Sequence, residues 1–207
     1  MESKIVTRLA GRPSDLEGIL SLQSRNLRRH LGDDEAAEQG FLIAEFDLGY
    51  LARMNDDRPS VVAVDGDRVV GYALAVTRRA GAGHTFLAAL FHQIDQLDFN
   101  RVPLRTVDYV VVGQLCVDKE YRGKGLVPRL YRLFRESLQG EYLYGITDVA
   151  RANKRSLQAH LKTGFQVIHS VEYGGLEWDV VLWDWTVGTG PSEKGGEAAS
   201  GGTGPRG

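Results

Sequence analysis

The loop from Asp118 to Val127 combines the residue types that bind a phosphate group. It follows an apolar run over residues 107–117, which predicts a strand, and it leads into residues 126–138, which predict a helix. A helix N-terminus has N–H groups without partners and a positive dipole end. The loop adds glycines and positive charge in the order Arg122, Gly123, Lys124, Gly125. The sequence therefore favours a cradle for a diphosphate, with a plain strand-to-helix turn as the alternative.

Two named phosphate motifs do not describe this loop. The spacing Gly-x-x-x-x-Gly-Lys-Ser/Thr of the P-loop is absent from the chain. The dinucleotide fingerprint would need a third glycine where Pro128 stands.

The composition indicates one globular domain without a global charge that would attract a polyanion. The chain has 207 residues, 43% of them hydrophobic, and a formal net charge of −2. We therefore predict no nucleic-acid partner and, with no apolar run of membrane-spanning length, no membrane partner. The single Cys116 excludes an internal disulfide, and the first residues lack the apolar core of a signal peptide. Both observations favour a cytoplasmic protein, and we predict no metal site.

Apolar periodicity predicts an α/β fold, of the α+β type with a mixed sheet and helices on both faces. Asp65-Gly66-Asp67 between two apolar runs predicts a hairpin. The predicted strands cover residues 4–9, 61–64, 69–76, 107–117, 142–149, 165–171 and 177–186, and the predicted helices cover residues 14–27, 47–54, 85–97, 126–138 and 153–162. We predict one domain over residues 1–187 with an insert helix at about 84–98, and a disordered Gly/Ser-rich tail over residues 188–207.

Two motifs in this order resemble those of the GNAT superfamily of acetyl-CoA-dependent N-acetyltransferases. The family's diphosphate loop reads Gln/Arg-x-x-Gly-x-Gly/Ala, and here it is Arg122-Gly123-Lys124-Gly125-Leu126-Val127. The second motif is an asparagine, a helix and then Gly-Phe, here Asn153 and Gly164-Phe165. The resemblance covers almost the whole predicted domain and implies a mostly antiparallel sheet that is splayed between two parallel central strands. Val127 and His160 depart from the family, which has a small residue and commonly a tyrosine there.

The resemblance implies acetyl-CoA as co-substrate and assigns residues to it. Its pantetheine arm would run beside a strand like an added strand, with the Val117 N–H polarising the thioester carbonyl and Gly113 as the candidate bulge at the splay. The cofactor-binding set that the resemblance implies is Leu115, Cys116, Val117, Arg122, Gly123, Lys124, Gly125, Leu126, Val127 and Asn153.

Two side chains are the candidates for proton transfer. Acetyl transfer to an amine needs a base for the amine and a proton for the departing thiolate. His160 lies two helical turns after Asn153, on the same side of the helix, and is the candidate acid; a packed or surface histidine is the alternative. Asp148 ends its strand where some members of the family carry a catalytic carboxylate, and a carboxylate that caps a loop or pairs with Arg151 is the alternative.

The acceptor is expected to contact the region after the first helix and the insert. Phe41 and Gln114 are the predicted acceptor-binding residues, and Gln114 is a polar residue in an apolar run that needs a partner. The resemblance implies direct transfer to a primary amine in a ternary complex, with a small metabolite favoured. A protein or peptide amine and a catalytically silent acyl-CoA-binding sensor are the alternatives. Many members pair through sheet edges or C-terminal strands, so a homodimer stays open.

Overall fold

The computed structural model describes residues 5–32 and 40–187. The strands of these residues are β1 (Val6–Leu9), β2 (Val61–Asp65), β3 (Arg68–Val76), β4 (Asp98–Phe99), β5 (Val102–Pro103), β6 (Tyr109–Val117), β7 (Tyr144–Ala150), β8 (Gln166–Tyr173) and β9 (Leu176–Asp184). The α-helices are α1 (Pro13–Asn26), α2 (Leu48–Asp57), α3 (Arg78–Gly81), α4 (Thr85–Asp95), α5 (Leu126–Leu138) and α6 (Lys154–Thr163). The predicted tail and the start of the first predicted strand at Lys4 lie outside the described residues.

Seven of the strands form one sheet in the order β1-β2-β3-β6-β7-β9-β8, and β4 pairs with β5 separately. Within the seven-stranded sheet, β6 and β7 are parallel and every other neighbouring pair is antiparallel. The predicted fold, a mixed and mostly antiparallel sheet with two parallel central strands, is confirmed. The domain limits stay a prediction.

Helices cover both faces of the sheet, so the chain has two hydrophobic cores. On one face, α1, α2 and α4 pack on side chains such as Tyr72 and Ile146. On the other face, α5 packs on Val110, Val112 and Val149. Alternate side chains of each strand reach opposite cores. None of the helices in the described ranges is both long and apolar enough to cross a membrane.

The parallel strands β6 and β7 separate soon after they pair. Their register covers residues 109–111 and 144–146 only. At the next position the Thr147 hydroxyl, in place of a backbone amide, donates to the Val112 carbonyl at 2.8 Å. Beyond that bond the strands leave a gap, which we call the opening.

A bulge bends β6 at the start of the opening. The register with β3 changes from Val112 opposite Ala75 to Leu115 opposite Ala73, so two residues of β6 face the single Leu74. A Cβ on Gly113 would lie 2.5 Å from Cγ2 of Val76, so only glycine lets β3 approach this closely. The predicted bulge at Gly113 is confirmed.

The insert between β3 and β6 lies against the face opposite α5 and α6. Its longer helix, α4, occupies residues 85–95, close to the predicted range. One side of α4 is buried against the sheet through Leu87, Leu90, Phe91 and Ile94. At its C-terminal end the Tyr109 hydroxyl donates to Asp95 at 2.9 Å. The insert therefore covers the sheet below the opening.

Candidate functional site

The loop between β6 and α5 presents backbone amides outward. Gly123 and Gly125 have φ angles of 77° and 70°, a left-handed conformation that favours glycine, and Gly125 is the N-cap of α5. No oxygen of the described residues accepts a hydrogen bond from the amides of Gly123, Lys124 or Gly125. Unpaired N–H groups at a helix N-terminus are the elements of an anion site.

A buried carboxylate fixes the start of this loop. Asp118 accepts from the Glu120 amide at 3.2 Å, from Arg68 at 2.7 Å and from Arg25 at 3.2 Å. Burial raises the pKa of Asp118, but these bonds outweigh it and the pKa lies below its ordinary value. Arg122 donates through Nε to the Val117 carbonyl at 3.0 Å and through Nη2 to Asn26 at 2.9 Å. The loop is therefore tied to β6, β3 and α1.

The end of β6 offers backbone groups to the opening. The Asp118 amide donates to the carbonyl of Val70 on β3, and Val117 lies opposite Gly71 of the same strand. Because hydrogen bonds alternate along an antiparallel pair, the N–H and C=O of Val117 and of Leu115 point away from β3. They face the side from which β7 has departed. The Val117 carbonyl accepts from Arg122 there, so an extended ligand can pair with the two N–H groups and with the Leu115 carbonyl.

A cleft of about 620 Å³ joins the loop to the end of β6 and to α6. Its lining contains Phe41 of the predicted acceptor contacts and, of the predicted cofactor set, Leu115, Cys116, Val117, Arg122, Gly123, Gly125, Leu126, Val127 and Asn153. Lys124 is not in the lining, and its ammonium lies over the Tyr121 ring at 4.7 Å. Burial raises the pKa of the Cys116 thiol to about 12, so it is not a nucleophile at neutral pH.

Asn153 closes the cleft at the start of α6. Its Oδ1 accepts from the Ser156 amide at 3.2 Å, which caps the helix, and its Nδ2 donates to the Phe41 carbonyl at 2.9 Å. Gly40 has a φ angle of 76°, and a Cβ there would lie 2.8 Å from Asn153 Oδ1. Residues 40–46, which we call the strap, therefore need glycine at their first position.

Gln114 is committed to the strap. Its Oε1 accepts from the Tyr72 hydroxyl at 2.9 Å, and its Nε2 donates to the Ala44 carbonyl. The strap is also held at Phe46, whose amide and carbonyl both bond to Gln23. The partner that the sequence required for Gln114 is thus part of the protein. Gln23 shares the helical spacing of the apolar residues Ile19 and Leu27, and that spacing is the signal in the sequence for its position on the buried side of α1.

His160 is buried beneath the cleft rather than exposed in it. Its ring lies 5.6 Å from the Tyr131 ring and 5.1 Å from the Phe165 ring. Nδ1 lies 2.8 Å from the Ser156 carbonyl, which can only accept, so Nδ1 carries the proton. Burial lowers the pKa of His160 to about 4, so the ring is neutral at pH 7. This environment matches the packed histidine named as the alternative and does not favour the acid role.

Asp148 lies on β7 just beyond the residues that pair with β6, on the sheet face that the insert covers. The Tyr173 hydroxyl donates to its Oδ2 at 2.7 Å. Burial raises the pKa of Asp148 to about 6, although the hydrogen bond from Tyr173 lowers it. Arg151 instead pairs with Asp179 at 2.9 Å and Glu177 at 3.4 Å, so the alternative partner of Asp148 is engaged elsewhere. A carboxylate with this pKa is suited to proton transfer near neutral pH.

Three aromatic side chains that the sequence did not single out as site residues form a cluster that contacts Asp148 through Tyr173. Tyr173 stacks on Trp178 with ring centroids 4.8 Å apart and an interplanar angle of 14°. Phe86 of the insert lies 6.1 Å from the Tyr173 ring and 6.0 Å from the Trp178 ring. Tyr173 and Trp178 belong to one hairpin, whereas Phe86 comes from a distant segment, and no local spacing indicates that it meets them.

Comparison with known proteins gives a consistent result. The model of the acetyltransferase (GNAT) family matches residues 22–165, and no curated protein matches the chain. The chain is similar in structure to the NatC complex bound to Gag peptide and CoA, with a TM-score of 0.60 and 13% identity over 87% of this chain and 98% of that one. It is also similar to a putative acetyltransferase from Salmonella typhimurium with its cofactor acetyl-CoA, with a TM-score of 0.58 and 18% identity over 92% and 99% of the chains. A third similar structure is NAA60 from Arabidopsis thaliana in complex with acetyl-CoA, with a TM-score of 0.58 and 17% identity over 87% of this chain and 99% of that one.

Proposed function

This chain belongs to the GNAT family of acetyltransferases, and we propose that it transfers an acetyl group from acetyl-CoA directly to a primary amine. The observation that carries the proposal is the row of unpaired amides at Gly123–Gly125, which opens into a cleft that follows β6. Two of the similar structures contain acetyl-CoA, which supports this choice of co-substrate.

In this proposal the diphosphate binds the loop amides and the pantetheine arm pairs with the open edge of β6. The N–H and C=O groups of Leu115 and the N–H of Val117 provide the rungs of an added strand, and the Val117 N–H faces the thioester carbonyl. Val127 lines the cleft in place of the family's small residue, and Pro128 removes one donor from the helix start. The remaining amides carry the diphosphate.

Asp148 is the proposed general base. An amine with an ordinary lysine-like pKa is neutral in only about one molecule in 2,500 at pH 7, so proton removal limits attack. With a pKa of about 6, Asp148 is ionised in about nine of ten molecules at that pH and can accept the proton. His160 has no catalytic role in this proposal, because its single proton is held by the Ser156 carbonyl.

A small amine is the favoured acceptor. The insert packs over the sheet face on which Asp148 lies, and Phe86 extends over the hairpin of β8 and β9. Both leave less room for an acceptor that approaches Asp148. A peptide amine is the second candidate acceptor, because the similar NatC complex binds a Gag peptide. Screening a panel of small amines and peptides with detection of the released thiol separates the two.

Calorimetric titration with acetyl-CoA tests the cofactor site. We expect Gly125→Ala to weaken binding at least tenfold, because a φ of 70° strains alanine and displaces the amides that hold the diphosphate. Gly66→Ala is the matched control, since Gly66 has a φ of 59° in the turn between β2 and β3 and does not line the cleft. Absence of binding to the wild-type protein at millimolar acetyl-CoA would refute the proposal.

A further inference from the structure

Tyr173 contacts Trp178 within the hairpin of β8 and β9. Its ring stacks on Trp178, whose Nε1 donates to the Tyr173 carbonyl at 3.2 Å. The hydroxyl then reaches across β9 to Asp148 on β7. The turn that follows is Gly174-Gly175, with φ angles of 61° and 75°, and β8 is an edge strand with mostly exposed side chains. The end of this hairpin therefore has few contacts of its own to hold it.

The insert supplies the missing contact. Phe86 stands in the first turn of α4, and its ring touches both Tyr173 and Trp178. Further along, α4 is anchored to the sheet by Leu87 and Leu90, which are buried. Because Leu87 and Leu90 lie in the core on this face of the sheet, Phe86 transmits that rigidity to the end of the hairpin. Aromatic contacts of this kind are directional, so they restrict the ring orientation of Tyr173.

We infer that the insert is a positioning element for the base: Phe86 braces the Tyr173–Trp178 stack, and the stack holds the Tyr173 hydroxyl on the Asp148 carboxylate. The inference rests on the proposed function of Asp148. Neither Tyr173 nor Phe86 needs to touch the substrate for this role.

No other titratable side chain of the described residues forms a hydrogen bond or an ion pair with the Asp148 carboxylate. Cys116 on β6 is a neutral thiol, and His84 at the start of α4 packs against the rings of Phe46 and Tyr50. Glu172 and Glu177 sit at the exposed end of the hairpin, and Glu177 pairs with Arg151. Among the described residues, the phenol of Tyr173 is thus the side chain that hydrogen-bonds to the Asp148 carboxylate. Its hydrogen bond favours the ionised form and keeps the base available at lower pH.

The pH dependence of kcat/KM tests this inference. We call the low-pH side of the profile, where Asp148 becomes protonated, the acid limb. In Tyr173→Phe the acid limb should move to higher pH by about one unit, since a hydrogen bond to a charged group changes a pKa by about that much. At pH values below the limb, kcat/KM should therefore fall about tenfold. Above the limb, kcat/KM should return towards the wild-type value. Phe86→Ala should move the limb in the same direction, and Phe86→Leu, which keeps apolar contact, should move it less.

Two controls separate positioning from general damage. Tyr109→Phe removes another tyrosine–aspartate hydrogen bond, at the far end of α4, and should leave the limb in place. Val102→Ala changes an exposed side chain of the insert and should also leave it in place. Thermal melting shows that each variant is folded at the assay temperature.

The outcomes distinguish the inference from the proposed function. If Asp148→Asn abolishes the acid limb while Tyr173→Phe and Phe86→Ala keep it at the wild-type pH, the positioning role is overturned and the base stands. If Asp148→Asn keeps both activity and limb, the base itself is wrong. A limb that moves equally in Val102→Ala would also overturn the inference.

Discussion

Replacing Asp148 by asparagine should make the protein more stable and less active at neutral pH. Burial raises the pKa of this carboxyl from 3.8 to about 6, which corresponds to about 3 kcal/mol of unfavourable free energy for the ionised form. Asparagine resembles the protonated carboxyl and still offers an oxygen to the Tyr173 hydroxyl. We expect Asp148→Asn to gain up to about 3 kcal/mol of unfolding free energy at pH 7.5 and to lose about 10²- to 10⁴-fold in kcat/KM.

The pH dependence fixes the sign of this prediction. Between pH 3.8 and about 6 the folded protein keeps a proton on Asp148 that the unfolded chain has released. Wild-type stability therefore falls as the pH rises through that window, and the cost is fully present above it. The difference between Asp148→Asn and wild type should be largest above pH 6 and should vanish near pH 4.

Urea unfolding followed by tryptophan fluorescence at pH 7.5 and pH 4 measures the difference, since all three tryptophans lie on or just after β9. Asp179→Asn is the matched control, because Asp179 on β9 is a buried carboxylate that accepts from Arg151 at 2.9 Å and Ser170 at 2.7 Å. That variant should be destabilised at pH 7.5. An Asp148→Asn protein no more stable than wild type at pH 7.5 would refute the reasoning, since it would mean that the buried carboxylate carries no desolvation cost.

Three further predictions concern the frame around the site. The hydrogen bond from Arg8 lowers the pKa of Asp15 to about 2, so Asp15→Asn should lower the free energy of unfolding by about 2 kcal/mol at neutral pH. Urea unfolding should show that this difference disappears as the pH falls from 3.8 towards 2. Gly113→Ala should destabilise the protein by about 1–3 kcal/mol and weaken acetyl-CoA binding in calorimetry, because its Cβ would press on Val76 and straighten the bulge. His160→Ala should lower the melting temperature, since it leaves a cavity, yet keep kcat per folded molecule; loss of kcat without loss of stability would restore the acid role.

Local patterns in the sequence determined the fold and most of the cofactor side. Asp65-Gly66-Asp67 gives the turn between β2 and β3, and the loop glycines adopt the left-handed backbone that their residue type permits. Asn153 caps a helix that ends at Gly164. These features depend on residues a few positions apart, so periodicity and backbone freedom indicate them. The sequence predicts Ser14 as the N-cap of the first helix, but the helix begins at Pro13 with Arg12 as its N-cap, because the side chain of Asp15 accepts from the amides of Gly11 and Arg12.

Only the tertiary structure decided what each polar side chain near the opening does. Gln114 bonds to Ala44, 70 positions away, and Tyr173 reaches Asp148 from across an intervening strand. The spacing along the sequence places His160 on the same side of the helix as Asn153. In the structure, Tyr131 of α5 packs on its ring, and burial keeps the ring neutral at pH 7. Burial and long-range partners set the pKa of a side chain, and neither is encoded in the spacing of its neighbours along the chain.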